Sequence, residues 1–307
     1  MDFMTYPLNG ATLSRYPFKA VGDLVVFTGH EMAVVSRDGV GLLPALVSLA
    51  SGSRSDVLAF LDKWGPLEHG APDRMEKLRD VAIRERLDQR AIDDLLAVER
   101  LMQASMEASL YPVPYPTSIA AYLELAGFVH NLLSALAKLR VNPNAKPEEV
   151  LPASWTLEHF LPPDGVDDGA EAIVCEIPSL LRAQNEHGPR RIAAGYGLQQ
   201  IIRFVAEDTI QRMWSVEPRP GLWCDSNNDF SIELDPGSGL SIIGYQLSRL
   251  FSEASSPPAL CHCGELFIPN RKPRSDQKTW CTSCRERGEP QRFASAQYRL
   301  RRSQGER

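Results

Sequence analysis

The chain has 307 residues, of which 43% are hydrophobic and 23% charged, an ordinary globular composition that can bury a core without cross-links. No apolar run approaches the roughly 18 to 20 residues needed to span a bilayer. Residues 1–17 have neither the basic start nor the apolar segment of a signal peptide. These features argue against a membrane-spanning or exported protein, and we expect a soluble protein of the cytoplasm.

The net charge of -6 is distributed unevenly along the chain. Residues 259–307 hold eleven Lys/Arg and five Asp/Glu, a net +6, whereas residues 1–258 hold 22 and 34, a net -12. A basic segment attached to an acidic body indicates a polyanionic partner such as nucleic acid, although basic termini are often only solvated.

The first predicted elements are strands and one capped helix. Two β-branched runs, "DLVVFTG" and "EMAVVSR", are bounded by Gly22 and by Asp38-Gly39, and their spacing predicts a β-hairpin. Further on, Ser and Asp precede an apolar stripe that ends at Gly65-Pro66, a pattern that predicts a helix of about three turns. The stripe consists of Val57, Phe60, Leu61 and Trp64.

Two longer helical regions follow. Residues 75–111 contain no Gly or Pro and have an amphipathic period, which predicts one long helix or two helices meeting end to end. A continuous helix there would be about 55 Å long, so a helical hairpin or a dimer seam becomes plausible. Residues 119–141 are apolar over most of the circumference and predict a central buried helix.

The second half of the body combines helices with one more hairpin. We predict helices over 170–184, with Pro178 as a break, and over 190–214. The stretch 221–234 predicts a hairpin turning at Ser226-Asn227-Asn228, and 239–254 predicts a helix. Proline and small polar residues then mark a linker at 255–259. The expected fold is mainly α with small β-hairpin elements: a helical body over 1–254, followed by a small zinc-ribbon or zinc-knuckle module over 260–307.

Four of the six cysteines form the clearest chemical signal. They read Cys-x-Cys, seventeen residues, and then Cys-x-x-Cys, which are Cys261, Cys263, Cys281 and Cys284. Two close pairs joined by a loop are typical of a tetrahedral structural zinc site, closed because protein fills all four positions. The short first pair requires a turn at His262. Phe267 and Trp280 are candidates to cover the site, and Cys175 and Cys224 are expected to be buried thiols.

Three other interpretations of the cysteines stay open. Cys281 and Cys284 could form a redox dithiol, although the βαβ setting of such pairs is absent. The four thiols could carry no metal at all. His262 could serve as a ligand, but adjacent side chains seldom bind the same ion.

The segment also resembles a known family. "LCHCGELFIPNR", a loop, "WCTSC" and an Arg-rich helix resemble the C-terminal zinc finger of bacterial CGNR-type proteins, in which the finger follows a mostly helical domain. The resemblance implies that the four cysteines bind zinc and that the finger binds DNA in a transcription regulator. Where the family reads Cys-Gly-Asn-Arg, this chain has Cys284-Arg285-Glu286-Arg287, and the likeness covers about fifty to seventy residues.

The basic residues of the module are candidates for nucleic-acid binding. After Pro290, a helix is predicted with Phe293, Ala296 and Leu300 docked on the zinc knuckles and arginines on another face. The candidate phosphate contacts are Arg271, Lys272, Arg274, Arg285, Arg292, Arg299 and Arg302. Guanidinium groups pair with phosphate oxygens, and the counterions that they release make binding salt-dependent.

We therefore expect a regulator that binds double-stranded DNA through this module, with the helical body sensing a signal or forming a homodimer. The alternative is a protein-docking or purely structural zinc module. The five other histidines are scattered, and no catalytic motif is present, so an enzyme is not expected.

Overall fold

The computed structural model describes part of the chain. The described residues are 12–15, 18–27, 33–36, 41–67, 89, 93, 96, 100, 117–160, 170–181, 190–193, 197–213, 219–224, 230–235, 238–251, 258–263, 265–267, 269 and 278–303. The chain forms two compact units, each built from three segments. One unit comprises Met1–Val129, Cys175–Arg191 and Val205–Ser248, and the other comprises His130–Val174, Ile192–Phe204 and Arg249–Arg307.

The described elements are mostly helices, with small antiparallel strand pairs and a cysteine-rich module at the C-terminal end. The helices are α1 Leu42–Ser48, α2 Arg54–Trp64, α3 Ile119–Val141, α4 Pro147–Val150, α5 Leu198–Met213, α6 Gly239–Phe251, α7 Thr282–Glu286 and α8 Glu289–Ser303. The strands are β1 Thr12–Arg15, β2 Phe18–Val21, β3 Leu24–Phe27, β4 Ala33–Ser36, β5 Thr117–Ser118, β6 Thr156–Phe160, β7 Ala170–Cys175, β8 Arg190–Ala193, β9 Arg219–Cys224, β10 Phe230–Asp235, β11 Ala259–Leu260 and β12 Leu266–Phe267. The predicted fold class is confirmed.

The N-terminal strands pair differently from the predicted hairpin. The two β-branched runs do form β3 and β4, but β3 pairs with β2 and β5, while β4 pairs with β1. Gly22, expected as a boundary of the first run, lies in the turn between β2 and β3 and has a φ of 58°. A two-residue turn with positive φ suits the twist of a tight hairpin, so the partner of β3 is its immediate neighbour in sequence.

The capped helix α2 is confirmed. The Asp56 carboxylate accepts hydrogen bonds from the Ser53 backbone N–H at 2.6 Å and from the Ser53 hydroxyl at 2.7 Å. These bonds hold the pKa of Asp56 below its ordinary value. Gly65 ends the helix with a φ of 76°. All four residues of the predicted stripe are buried.

Helix α3 confirms the predicted central buried helix over the same residues. Leu125, Leu132 and Leu133 are fully buried. The helix has 23 residues, and its most apolar window has a mean hydropathy of 1.4, so by length and composition it could cross a membrane. The expectation that no apolar segment reaches that length was therefore wrong. Because 56% of the window is buried within the protein, α3 also fits the core helix of a globular domain, which passes the same test.

Two of the predicted helices in the second half of the body contain strands instead. Residues 170–175 form β7, which pairs with β6, and among the described residues of the predicted 170–184 helix Ser179–Leu181 form a short 3-10 helix. Ile173 and Val174 are β-branched and favour a strand once a partner strand is available. Residues 190–193 form β8, and α5 begins only after Gly197, whose φ is 92°.

The other predicted elements of the body have different outcomes. The hairpin is confirmed as β9 and β10, with Phe230 opposite Cys224, and the helix after it is confirmed as α6. The predicted 75–111 helix lies outside the described residues except for four helical positions, among which the Gln89 side chain donates to Asp93 at 2.9 Å. The boundary at 255–259 stays a prediction, since 252–257 lie outside the described residues.

Leu67 forms backbone hydrogen bonds with two other segments of the first unit. Its backbone N–H donates to the Tyr122 hydroxyl at 3.4 Å, and its carbonyl accepts from the Leu240 N–H at 3.0 Å. The start of α6 therefore lies directly against this residue. A Cβ at Gly239 would come within 3.1 Å of the Leu67 Cα and 2.9 Å of its Cδ2.

Gly239→Ala is accordingly expected to lower the free energy of unfolding by about 1–3 kcal/mol, the usual cost of forcing extra volume into a packed core. Gly127→Ala is the matched control, because a Cβ at this position of α3 meets nothing within 4 Å. Alanine is the better helix former, so the control should gain about 0.5–1 kcal/mol. Urea denaturation of both variants measures the difference, and equal shifts would contradict the close packing of Gly239.

Candidate metal centre

A short strand pair and a turn bring the first two cysteines together. β11 pairs with β12, with Leu260 opposite Leu266. The Cys261 N–H donates to the Glu265 carbonyl at 2.8 Å, and the chain turns at residues 262 and 263. The predicted turn at His262 is thus confirmed, and it aims Cys261 and Cys263 at a common point.

The second pair lies at the beginning of α7. Cys281 is the N-cap residue of this helix, and its sulfur accepts a hydrogen bond from the Cys284 N–H at 3.4 Å. Thr279 ties the preceding segment to the first pair: its hydroxyl donates to the Leu260 carbonyl at 2.6 Å, and its carbonyl accepts from the His262 N–H at 3.2 Å. The two pairs therefore face each other.

The four sulfur atoms form one compact cluster. All of them lie within 4.8 Å of one another, and the sulfurs of Cys263 and Cys281 are 3.9 Å apart. Four ligands at the Zn–S distance of about 2.3 Å in a tetrahedron would be about 3.8 Å apart. Cys261, Cys281 and Cys284 are buried, and Cys263 is exposed. The four cysteines can therefore bind a metal ion.

Hydrogen-bond donors surround the sulfur atoms. The Cys281 N–H donates to the Cys261 sulfur at 3.2 Å, and the Arg287 guanidinium donates through Nη2 to the Cys284 sulfur at 3.3 Å. Such donors stabilise thiolates and orient them as ligands. Arg287 was not among the predicted site residues. Its position three residues after Cys284, directly after the end of α7, was the available signal.

The thiol pKa values differ within the cluster. Burial disfavours the Cys261 thiolate, but hydrogen bonds from the backbone at Cys263 and Cys281 outweigh burial and lower its pKa to about 7. Burial raises the pKa values of Cys281 and Cys284 above that of an ordinary thiol. A metal ion that binds all four cysteines as thiolates must displace protons from Cys281 and Cys284. The affinity of the cluster for the metal therefore falls as the pH falls.

Aromatic side chains cover one side of the cluster. Phe267 and Trp280 pack against the buried cysteines, as expected from the sequence. The His262 ring lies 5.4 Å from the Trp280 ring and 5.7 Å from the Phe293 ring, and it is not among the grouped ligand atoms. His262 thus packs its ring against this aromatic group, although the residue itself is exposed.

Phe293 connects the C-terminal helix to this cover. Gly288, with a φ of 72°, makes the turn from α7 into α8. The Phe293 ring lies 5.7 Å from the Trp280 ring, and the Lys278 ammonium sits 4.0 Å over it. The predicted docking stripe is only partly correct, because Ala296 is exposed and Leu300 is 51% exposed.

The candidate arginines of α7 and α8 are solvent-accessible. Arg285, Arg292, Arg299 and Arg302 are all exposed, and so is Arg301, a residue outside the predicted set. Arg292 forms an ion pair with Glu289 at 3.2 Å. The remaining candidates, Arg271, Lys272 and Arg274, lie outside the described residues.

Compared with protein-family models, curated proteins and solved structures, the chain matches none. The likeness to the CGNR-type finger therefore rests on the quoted motif. Function has to be inferred from the chemistry of the module.

Proposed function

We propose that the protein is a DNA-binding transcription regulator of the cytoplasm, in which a structural zinc site holds an arginine-rich helix toward double-stranded DNA. The observation that carries this proposal is the exposure of the α8 arginines beside a closed four-cysteine cluster. The helical body would sense a signal or form a homodimer.

Zinc is the metal best suited to this cluster. Four thiolate ligands in a tetrahedral arrangement favour zinc or an iron–sulfur centre. Sequence-local pairs with Cys-x-x-Cys spacing are typical of structural zinc modules. Since protein supplies all four ligands, the ion has no open position for water or substrate, and its proposed role is to fold the module.

Charge supports DNA as the partner. Residues 278–303 hold seven Lys/Arg and two Asp/Glu, a net +5, whereas residues 1–258 carry a net -12. The acidic body repels DNA, so contact is confined to the module. Guanidinium groups form charge-assisted hydrogen bonds with phosphate oxygens, which suits the exposed arginines.

A second candidate function is docking of another protein. Tyr298 is 67% exposed and Leu300 is 51% exposed on the same helix. Exposed apolar side chains of this size occur at protein interfaces. The surrounding arginines favour DNA, and the two functions differ in their salt dependence.

Salt dependence tests the proposal. For full-length protein and labelled duplex DNA, phosphate contacts by Arg285, Arg292 and Arg301 predict a slope of log affinity against log salt of about -3. Arg285→Gln should make this slope shallower by about 0.9. Lys19→Gln is the matched control, because Lys19 is an exposed cation of β2 outside the module and should leave the slope unchanged.

Fluorescence anisotropy between about 50 and 200 mM salt measures the slope for the wild-type protein and its change in each variant. Absence of binding at the lowest salt, or tight binding that ignores salt, would refute DNA binding by this module. Salt-insensitive capture of a protein partner that requires Tyr298 would instead support the second candidate.

A further inference from the structure

Beyond Phe293, helix α8 is exposed on all sides. Each of the nine residues from Ala294 to Arg302 is exposed, and at 1.5 Å per residue they form a rod of about 13 Å. Helices of this length are marginal in water unless packing stabilises them. We therefore expect a binding partner to stabilise the exposed part of α8.

One face of this rod points away from the cysteine module. At about 100° per residue, Tyr298, Arg299 and Arg302 lie about 120° to 180° around the helix from Phe293. Gln291 and Ser295 share this face. Phe293 contacts the aromatic cover. The opposite face, named here the outer face of α8, is therefore the face of this helix that a binding partner contacts.

The size and chemistry of the outer face fit the major groove of DNA. A helix with side chains is about 10–12 Å in diameter, and the major groove is about 12 Å wide, whereas the minor groove of about 6 Å excludes a helix. Arginine reads guanine O6 and N7 by a bidentate hydrogen bond, and glutamine reads adenine N6 and N7 in the same way. Arg292 lies on the flank and already pairs with Glu289.

We propose that α8 enters the major groove and that Arg299 and Arg302 contact base edges, with Arg301 on the flank contacting phosphate. This inference rests on the proposed DNA binding and adds which groove is read and by which residues. A second copy of the chain is a poorer occupant, because two outer faces would bring arginines together.

The test begins with selection of preferred sequences from a randomised duplex library by the full-length protein. Arg299→Ala and Arg302→Ala should each reduce the ratio of affinity for the selected duplex to affinity for a scrambled duplex by about 5- to 150-fold. Arg301→Ala is the matched control on the same helix. It should weaken both affinities alike and make the salt slope shallower by about 0.9.

Groove choice is tested with 7-deazapurines in the selected duplex. This substitution removes the N7 acceptor from the major groove and leaves the minor groove unchanged. It should weaken binding by the wild-type protein and have little further effect on the Arg299→Ala, Arg302→Ala double variant. Circular dichroism of the double variant confirms that α8 and the body are retained.

The outcomes separate this inference from the proposed function. Salt-dependent binding without sequence preference, or a preference that 7-deazapurines do not alter, overturns major-groove reading and leaves DNA binding intact. Equal loss of discrimination in Arg301→Ala also overturns it. Absence of any DNA binding, or capture of a protein through the outer face, overturns both.

Discussion

Replacing Cys281 with serine is expected to abolish metal binding by the four-cysteine cluster and to unfold the C-terminal module. Cys281 is 1% exposed, its sulfur lies 3.9 Å from that of Cys263, and its backbone N–H donates to the Cys261 sulfur at 3.2 Å. It also caps α7. A structural zinc ion in a small finger supplies about 10–16 kcal/mol of apparent folding free energy, far more than so small a hydrophobic cluster provides.

Two measurements check this expectation. Metal analysis of the purified wild-type protein should give one zinc per chain, and Cys281→Ser should give almost none. Limited trypsin digestion should cleave within residues 285–302 in the variant, and also in wild-type protein treated with a chelator, while the body resists.

Cys175→Ser is the matched control, since Cys175 is as deeply buried, at 1% exposure, but lies in β7 and is not one of the four grouped cysteines. This variant should keep its zinc, even if the body becomes less stable. Full metal content in Cys281→Ser, or iron in place of zinc in the wild-type protein, would contradict the proposed zinc site.

Local signals in the sequence predicted those elements whose ends are determined nearby. Helix α2 has its own cap at Ser53 and Asp56 and its own stop at Gly65. Helix α3 is apolar over 23 residues, too long for a strand. In the β9–β10 hairpin, Cys224 and Phe230 lie opposite each other and are six positions apart in the chain. In each case the sequence signal lies within the element or next to it.

Elements that depend on distant partners were predicted less well. The stretch around Ile173 could form either a helix or a strand, and pairing with Leu157 of β6 decides for the strand. In the N-terminal region the β-branched runs were correctly assigned to strands, but their pairing was not. Periodicity within one segment carries no information about which other segment lies beside it.

The candidate site divides in the same way. Spacing identified all four cysteines, because chelation by two close pairs is a local property of the chain. The donation from Arg287 to Cys284 and the ring contact between His262 and Phe293 were missed. Both depend on side-chain positions that follow only after the two pairs have come together.

Replacing Phe293 with alanine is expected to separate the arginine helix from the cysteine module without removing the metal. Phe293 is the residue of α8 whose ring contacts His262, Trp280 and Lys278. A fully buried Phe→Ala substitution costs about 3–5 kcal/mol. Because Phe293 is only half-buried, we expect a loss of about 1–2 kcal/mol, sufficient to undock or fray α8.

The consequence for DNA follows from the population of the docked helix. If only docked α8 binds, a cost of 1–2 kcal/mol lowers the apparent affinity by up to about 5- to 30-fold. Trypsin should also cleave after Arg299 and Arg301 faster than in the wild-type protein, a readout that does not depend on DNA.

Gln297→Ala is the matched control, since Gln297 is exposed on the same helix and alanine favours helix formation. Phe293→Ala should keep its zinc. If its cleavage by trypsin were also unchanged, contacts other than this ring would hold α8, and they would have to explain the orientation of the outer face.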